Sequence, residues 1–109
     1  SGGERQRLKL IKELGATGHI LILDEPSTGL HPSDTQKLLT FLNHMVDQNN
    51  TLIVIEHNLD IIAQADWIID IGPGAGIYGG EIVFEGTVQE LLKHKVSTTA
   101  SYLNQYLTQ

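Results

Sequence analysis

Cysteine is absent from this chain of 109 residues, so neither a disulfide nor a cysteine-ligated zinc site can form within it. Long apolar stretches are also missing. No run approaches the ~18 residues that a membrane span needs, and no secretory signal is present. These absences are typical of a soluble, cytoplasmic domain, and the length allows one domain with a single core.

Basic residues are scarce, with 7 Lys and Arg against 13 Asp and Glu and a formal net charge of −6. Four Lys and Arg against two Glu give the first 14 residues a charge of +2, which leaves −8 for the rest. Phosphate neutralisation supplies much of the affinity for nucleic acids, so a chain this acidic is a poor DNA binder by itself. The chain begins at Ser1 without an initiator Met, and we interpret it as a piece of a longer polypeptide.

The stretch HILILDEPSTGL, His19 to Leu30, is the segment around which the rest of the chain is organised. Ile20 to Leu23 are consecutive apolar residues, which predicts a strand buried on both faces of a parallel sheet. Asp24 and Glu25 follow the strand, and Pro26 biases the residue before it away from helical geometry, so a loop begins there. Ligands bind at this edge of open α/β sheets. Carboxylates at a strand end also occur as ordinary solvated charges.

Helix and strand patterns alternate along the chain, which predicts a mostly parallel sheet flanked by helices, with an antiparallel hairpin edge. The first predicted helix follows Glu4 and has apolar residues at Leu8, Ile11 and Leu14. The second begins at Pro32 or Ser33, is capped by Ser33 or Asp34, and has an apolar stripe at Leu38, Leu39, Leu42, Met45 and Val46. A short helix follows the cap Asn58, with Leu59, Ile62 and Ala63 facing inward, and two more span Val88–His94 and Thr98–Leu107, the last with Tyr102, Leu103 and Tyr106 on its inward side. The other predicted strands are Thr51–Ile55, Trp67–Ile71 with Trp67 in the core, and, after a glycine-rich turn over residues 72–80, Glu81–Glu85.

Three short motifs occur in order: SGGE at residues 1–4, ILILDEP at 20–26 and VIEHN at 54–58. Together they resemble the ATP-binding cassette ATPases. SGGE resembles the family's signature motif, ILILDEP its Walker B strand, Ser27–His31 its D-loop, and His57 its switch histidine. The resemblance implies an α/β fold that is a partial P-loop NTPase cassette, running over residues 1–109 from the signature motif to the C-terminus without the Walker A part.

The resemblance implies one metal ligand and two catalytic side chains. Asp24 would hold Mg²⁺, a hard cation that prefers oxygen ligands. Glu25 would orient or deprotonate the attacking water, and His57 would contact the γ-phosphate of ATP and position that water.

The resemblance also implies nucleotide contacts from two loops. The signature residues would meet the γ-phosphate bound by an opposite cassette, because glycines at a helix start leave N–H groups free and the helix dipole favours an anion. The implied nucleotide-binding residues are Ser1, Gly2, Gly3 and Glu4 in the signature and Thr28, Gly29, Leu30 and His31 in the D-loop. SGGE as a simple helix cap, with Glu4 as a first-turn charge, is the alternative.

Two departures from the transporter pattern are similar to the UvrA family: STGLH in the D-loop, and the run from Ile55 to Thr87. The UvrA resemblance implies the C-terminal part of the second cassette of a DNA-binding ATPase of nucleotide excision repair, an SOS-response process. ATP and Mg²⁺ would be its cofactors, with zinc only in upstream modules. Its partners would be the upstream part of the same cassette, the other cassette, a second copy of the parent, DNA and a UvrB-like protein, with no membrane. The alternatives are a UvrA-like antibiotic-resistance paralogue, a transporter ATPase subunit, and a non-catalytic regulatory cassette.

A phosphate-binding loop of the form GxxxxGKS or GxxxxGKT is absent from the sequence. We therefore predict that this chain alone neither binds ATP tightly nor hydrolyses it. It is also expected to expose strand edges, which favour self-association.

Overall fold

The computed structural model describes residues 2–12, 15, 17–72, 80–94 and 97–108. These fall into two compact units, Ser1–Asn58 and Leu59–Gln109. The elements in chain order are α1 (Gly2–Lys12), β1 (Ile20–Asp24), α2 (Pro32–Asp47), β2 (Thr51–Ile55), α3 (Leu59–Ile62), β3 (Ile68–Ile71), β4 (Ile82–Gly86), α4 (Val88–Leu92) and α5 (Thr98–Leu107). The predictions for Ser1, for Leu14 and for residues 73–79 of the glycine-rich turn lie outside the described residues. Within the described part, no helix is long and apolar enough to cross a membrane.

In the first unit, β1 and β2 form a parallel pair, as the sequence predicts. The register runs from Ile20 opposite Thr51 to Asp24 opposite Ile55. Both strands therefore end at the same edge, and the residues that follow them are neighbours.

The prediction that β1 is buried on both faces is wrong. Leu23 is 5% exposed, whereas Ile20 and Ile22 are 70% and 68% exposed. Side chains alternate between the two faces of a strand. The described elements of this unit cover only the face that carries Leu23. The other face presents an uncovered group of isoleucines: Ile20, Ile22, Ile53 and Ile55.

Helix α2 begins at Pro32 as predicted, but the predicted cap is wrong. The N-cap is His31, whose Nδ1 accepts a hydrogen bond from the backbone N–H of Ser33 at 3.1 Å. Pro32 has no N–H and a fixed φ that suits the first helical position, so the cap falls one residue before it. The apolar stripe is buried at four of its five predicted positions, and Val46 is exposed.

Helix α1 forms where the sequence predicts a helix, but with a different inner face. Leu10 is buried and Leu8 is exposed, because the helix packs against β1 through the face that carries Leu10. At the opposite end of the strands, Asn50 connects helix α2 to the residue before β1. Its Nδ2 donates to the carbonyl of Met45 at 2.8 Å, and its Oδ1 accepts from the N–H of His19 at 3.0 Å.

In the second unit, β3 and β4 form an antiparallel pair, and this pairing agrees with the prediction for these two strands. The prediction that β3 also belongs to the parallel sheet is wrong for the described residues, where its ladder partner is β4. Alternation of helices and strands predicts strand direction, but it does not identify each strand's neighbours. The core of this unit is formed by Ile68, Leu91, Ala100 and Leu103.

Several predictions for the second unit hold, and two do not. Helix α5 spans Thr98–Leu107 as predicted, and Leu103 is buried. Tyr102 is exposed because it lies on the outer face of this helix. Trp67 is 55% exposed and precedes β3, so its assignment to the core is wrong.

The start of α5 is anchored to β3 by hydroxyl groups. Ser97 is the N-cap, and its Oγ accepts from the N–H of Ala100 at 3.0 Å. The same Oγ donates to the carboxylate of Asp70, which also accepts from Thr99 Oγ1 at 3.1 Å. One carboxylate on the strand thus ties down the first turn of the helix.

Candidate functional site

The candidate site lies at the edge where β1 and β2 end, entirely within the first unit. The N–H of Glu25 donates to the carbonyl of Ile55 at 2.8 Å, which extends the parallel pairing one residue past β1. Glu25 has a φ of 49°, a left-handed conformation that turns the chain out of the sheet. Its carbonyl then accepts from the N–H of Thr28 at 3.1 Å, which closes a turn.

The two predicted catalytic side chains meet at this edge. Nε2 of His57 lies 3.2 Å from Oε1 of Glu25. The His57 side chain is 88% exposed and that of Glu25 is 45% exposed, so both are accessible to a ligand in solvent. Parallel pairing explains the contact, because Glu25 follows β1 directly and His57 is two residues beyond the end of β2.

The carboxylate of Glu56, to which the sequence analysis assigns no role, supports the D-loop. Glu56 accepts from the backbone N–H of Ser27 at 3.2 Å and from Ser27 Oγ at 2.9 Å. It also accepts from the backbone N–H of His57 at 3.2 Å. The available signal was its position: Glu56 follows β2 at the edge where the D-loop begins.

Helix α1 contacts the same loop from the signature side. The side-chain amide of Gln6 donates to the carbonyl of Asp24 and accepts from its N–H, as a neighbouring strand would. Nη1 of Arg7 donates to the carbonyls of Pro26 at 2.6 Å and Thr28 at 3.1 Å. Sequence reasoning did not find these contacts, because no local pattern reveals which carbonyls a helix side chain will reach.

Asp24, the predicted metal ligand, lies at the end of β1 and is exposed. The described residues contain no group of three His, Cys, Asp or Glu that could hold a metal by themselves. Mg²⁺ usually keeps several waters and takes one or two carboxylates together with substrate phosphates. An exposed carboxylate beside Glu25 therefore fits a metal that arrives with a nucleotide, and does not resemble a closed structural site.

The other predicted site residues within the described part lie at the start of helix α1 and in the D-loop. Helix α1 starts at Gly2, so the predicted helix start at the signature glycines is confirmed. Glu4 is exposed in its first turn, and Ser1 lies outside the described residues. In the D-loop, Thr28 and Gly29 are exposed and Leu30 is half-buried. His31 serves as the cap of α2.

Comparisons with known proteins converge on one group. No family model matches the chain. The chain is 51% identical over 105 residues to the UvrABC system protein A of Thermus thermophilus, covering 94% of this chain and 11% of that protein. It is 54% identical over 110 residues to the protein of the same name from Mesorhizobium japonicum, covering 98% of this chain and 11% of that protein. The crystal structure of UvrA2 from Deinococcus radiodurans matches with a TM-score of 0.87 at 47% identity, covering 96% of this chain and 13% of that one. The chain thus spans about a tenth of the length of these relatives.

Proposed function

This chain belongs to the UvrA family, and we propose that it is the C-terminal part of an ATP-hydrolysing cassette in a DNA-binding protein of nucleotide excision repair. The observation that carries the proposal is the contact of Glu25 with His57 at 3.2 Å, at the edge where two parallel strands end. Two side chains that act on one water molecule must each come within hydrogen-bond distance of it, so they have to be near neighbours, as Glu25 and His57 are.

In the proposed reaction, Glu25 accepts a proton from, or orients, the water that attacks the γ-phosphate of ATP. His57 holds the transferring phosphate and fixes the line of attack. Asp24 would hold Mg²⁺, which when bound neutralises charge on the phosphate oxygens. Phosphoryl transfer depends mainly on positioning and electrostatics, so the hydrogen-bonded turn at Glu25 supports this assignment.

The signature segment serves a second nucleotide in this proposal. Helix α1 begins at Gly2 with two glycines, and the positive end of its dipole would favour a γ-phosphate held by another cassette. The phosphate-binding loop for Glu25 would come from an upstream part of the same polypeptide, because this sequence has none. DNA binding, dimerisation and loading of a UvrB-like partner belong to that longer protein.

The hydrolysis proposal is tested in the full-length protein with Glu25→Gln. Glutamine keeps the size of the side chain but cannot take a proton, so kcat for ATP should fall about 100-fold or more. ATP binding should persist. The matched control is Glu85→Gln, which changes an exposed carboxylate on β4. Turnover equal to wild type in Glu25→Gln would remove this residue from its catalytic role.

The repair proposal is tested by fluorescence anisotropy with ATP and Mg²⁺ at fixed salt. The full-length protein is titrated with matched duplexes that differ by one bulky adduct. We expect preferential binding to the damaged duplex and a changed preference in Glu25→Gln. Binding without preference favours a UvrA-like paralogue of the resistance type, and no binding contradicts a role on DNA.

A further inference from the structure

The carboxylate of Glu56 joins two segments that are far apart in sequence. It accepts two hydrogen bonds from Ser27, one from the backbone N–H at 3.2 Å and one from Oγ at 2.9 Å. It accepts a third from the N–H of His57 at 3.2 Å. An ionised carboxylate only accepts, with about four lone-pair positions on its two oxygens, so Glu56 suits three donors at once.

These hydrogen bonds, together with the contact of Glu25 with His57, connect the loop after β1 to the loop after β2 at the candidate site. Glu25 and Ser27 lie two residues apart on the loop after β1, and Glu56 and His57 are adjacent after β2. Glu25 contacts His57 and Ser27 contacts Glu56, so two separate side-chain contacts connect the two segments. The contact between Glu25 and His57 is weak, because the His57 side chain is 88% exposed. Contacts between exposed polar side chains contribute little to stability. The hydrogen bonds between Glu56 and Ser27 are, by contrast, part-buried.

We propose that Glu56 is a positioning residue for ATP hydrolysis, which fixes the backbone of His57 relative to the D-loop so that the Glu25–His57 pair keeps its geometry. The inference rests on the proposed function of that pair. Glu56 itself need not touch the nucleotide. Any displacement of Ser27 in the D-loop is passed to His57 through this carboxylate, so the two segments respond together.

The test measures steady-state ATP hydrolysis by the full-length protein in Glu56→Ala, Glu56→Gln, Ser27→Ala and the double variant Glu56→Ala with Ser27→Ala. Glu56→Ala should lower kcat about tenfold while KM changes less than about twofold, since misplacement by ~1 Å can cost up to about 100-fold. Glu56→Gln should recover part of the loss, because one oxygen is kept and an amide replaces the other. Glu85→Ala, an exposed carboxylate on β4, is the matched control.

The double variant separates coupling from general damage. Ser27→Ala removes the Oγ hydrogen bond, which is one of the three bonds that Glu56→Ala removes. The double variant should therefore be within about twofold of Glu56→Ala. Losses that multiply, or a kcat equal to wild type in Glu56→Ala, would overturn the proposal. Equal loss in Glu56→Gln and Glu56→Ala, with a matching drop in melting temperature, would also overturn it and assign a purely structural role. If Glu56→Ala does not fold, Ser27→Ala and Glu56→Gln carry the same test.

Glu25→Gln, measured in parallel, keeps the two proposals apart. Full turnover in Glu25→Gln contradicts the proposed function itself. Lost turnover in Glu25→Gln together with wild-type turnover in Glu56→Ala contradicts only the positioning role.

Discussion

Arg7 is expected to determine how often the D-loop opens. Its guanidinium donates to the carbonyl of Pro26, just before the loop, at 2.6 Å and to that of Thr28, within the loop, at 3.1 Å. Hydrogen bonds to a charged group contribute roughly 1.5–3 kcal/mol each when well sheltered. The bond to Pro26 is part-buried, whereas the bond to Thr28 is exposed and is expected to contribute little. We therefore expect Arg7→Ala to lower the free energy of local opening by about 2 kcal/mol, mainly through the loss of the bond to Pro26.

A loss of about 2 kcal/mol corresponds to roughly 30-fold more frequent opening. Hydrogen–deuterium exchange of the full-length protein measures this directly, because the N–H groups of Thr28 and Leu30 are bonded inside the loop, to the carbonyls of Glu25 and Ser27. Their exchange should be about 30-fold faster in Arg7→Ala. Arg7→Lys should lie in between, since an ammonium keeps the charge but lacks the guanidinium's planar fork of donors.

Exchange in α5 is the internal control, because that helix belongs to the other unit and should be unaffected. Unchanged exchange of the loop in Arg7→Ala would show that the turn bonds hold it without α1. Full protection in Arg7→Lys would show that charge alone is sufficient and that the geometry of the two bonds is irrelevant.

Two further predictions concern helix caps and use the same exchange measurement. Ser97→Ala removes the cap of α5 and one of the donors to Asp70, so opening of α5 should become about 1–2 kcal/mol easier. Ser101→Ala, an exposed change on the same helix, should have little effect, and equal effects would contradict the role of the cap. His31→Ala should destabilise the first turn of α2 by about 1 kcal/mol, because the N–H of Ser33 loses its acceptor. His31→Asp should preserve that turn, since Asp is among the best N-caps; similar losses in both variants would refute capping as the role of this histidine.

Local and periodic features of this chain could be predicted from sequence. The bounds of β2 and α5 agree with the apolar patterns, because strands and helices repeat with different periods. The family resemblance assigned Glu25 and His57 to one reaction, and the parallel pairing of β1 and β2 accounts for their contact, since it brings the residues after both strands to one edge.

Features that depend on partners at long range could not be predicted. An apolar run such as Ile20 to Leu23 does not show which face other elements cover, and one face is open here. Neither Leu8 nor Trp67 is buried, because hydrophobicity alone does not give the orientation of a helix or the start of a strand. The hydrogen bonds of Glu56 could not be predicted either, since they depend on the path of the loop that follows β1.

The left-handed backbone of Glu25 has a consequence for how this site can change over time. A side chain other than glycine in that conformation costs of the order of 1–3 kcal/mol, a sizeable part of a typical domain's 5–15 kcal/mol. Asn or Gly would relieve the strain, so the substitutions that stabilise the turn most readily are those that remove the carboxylate. A search for thermostable variants that selects on folding alone would tend to replace Glu25, and with it the proposed general base.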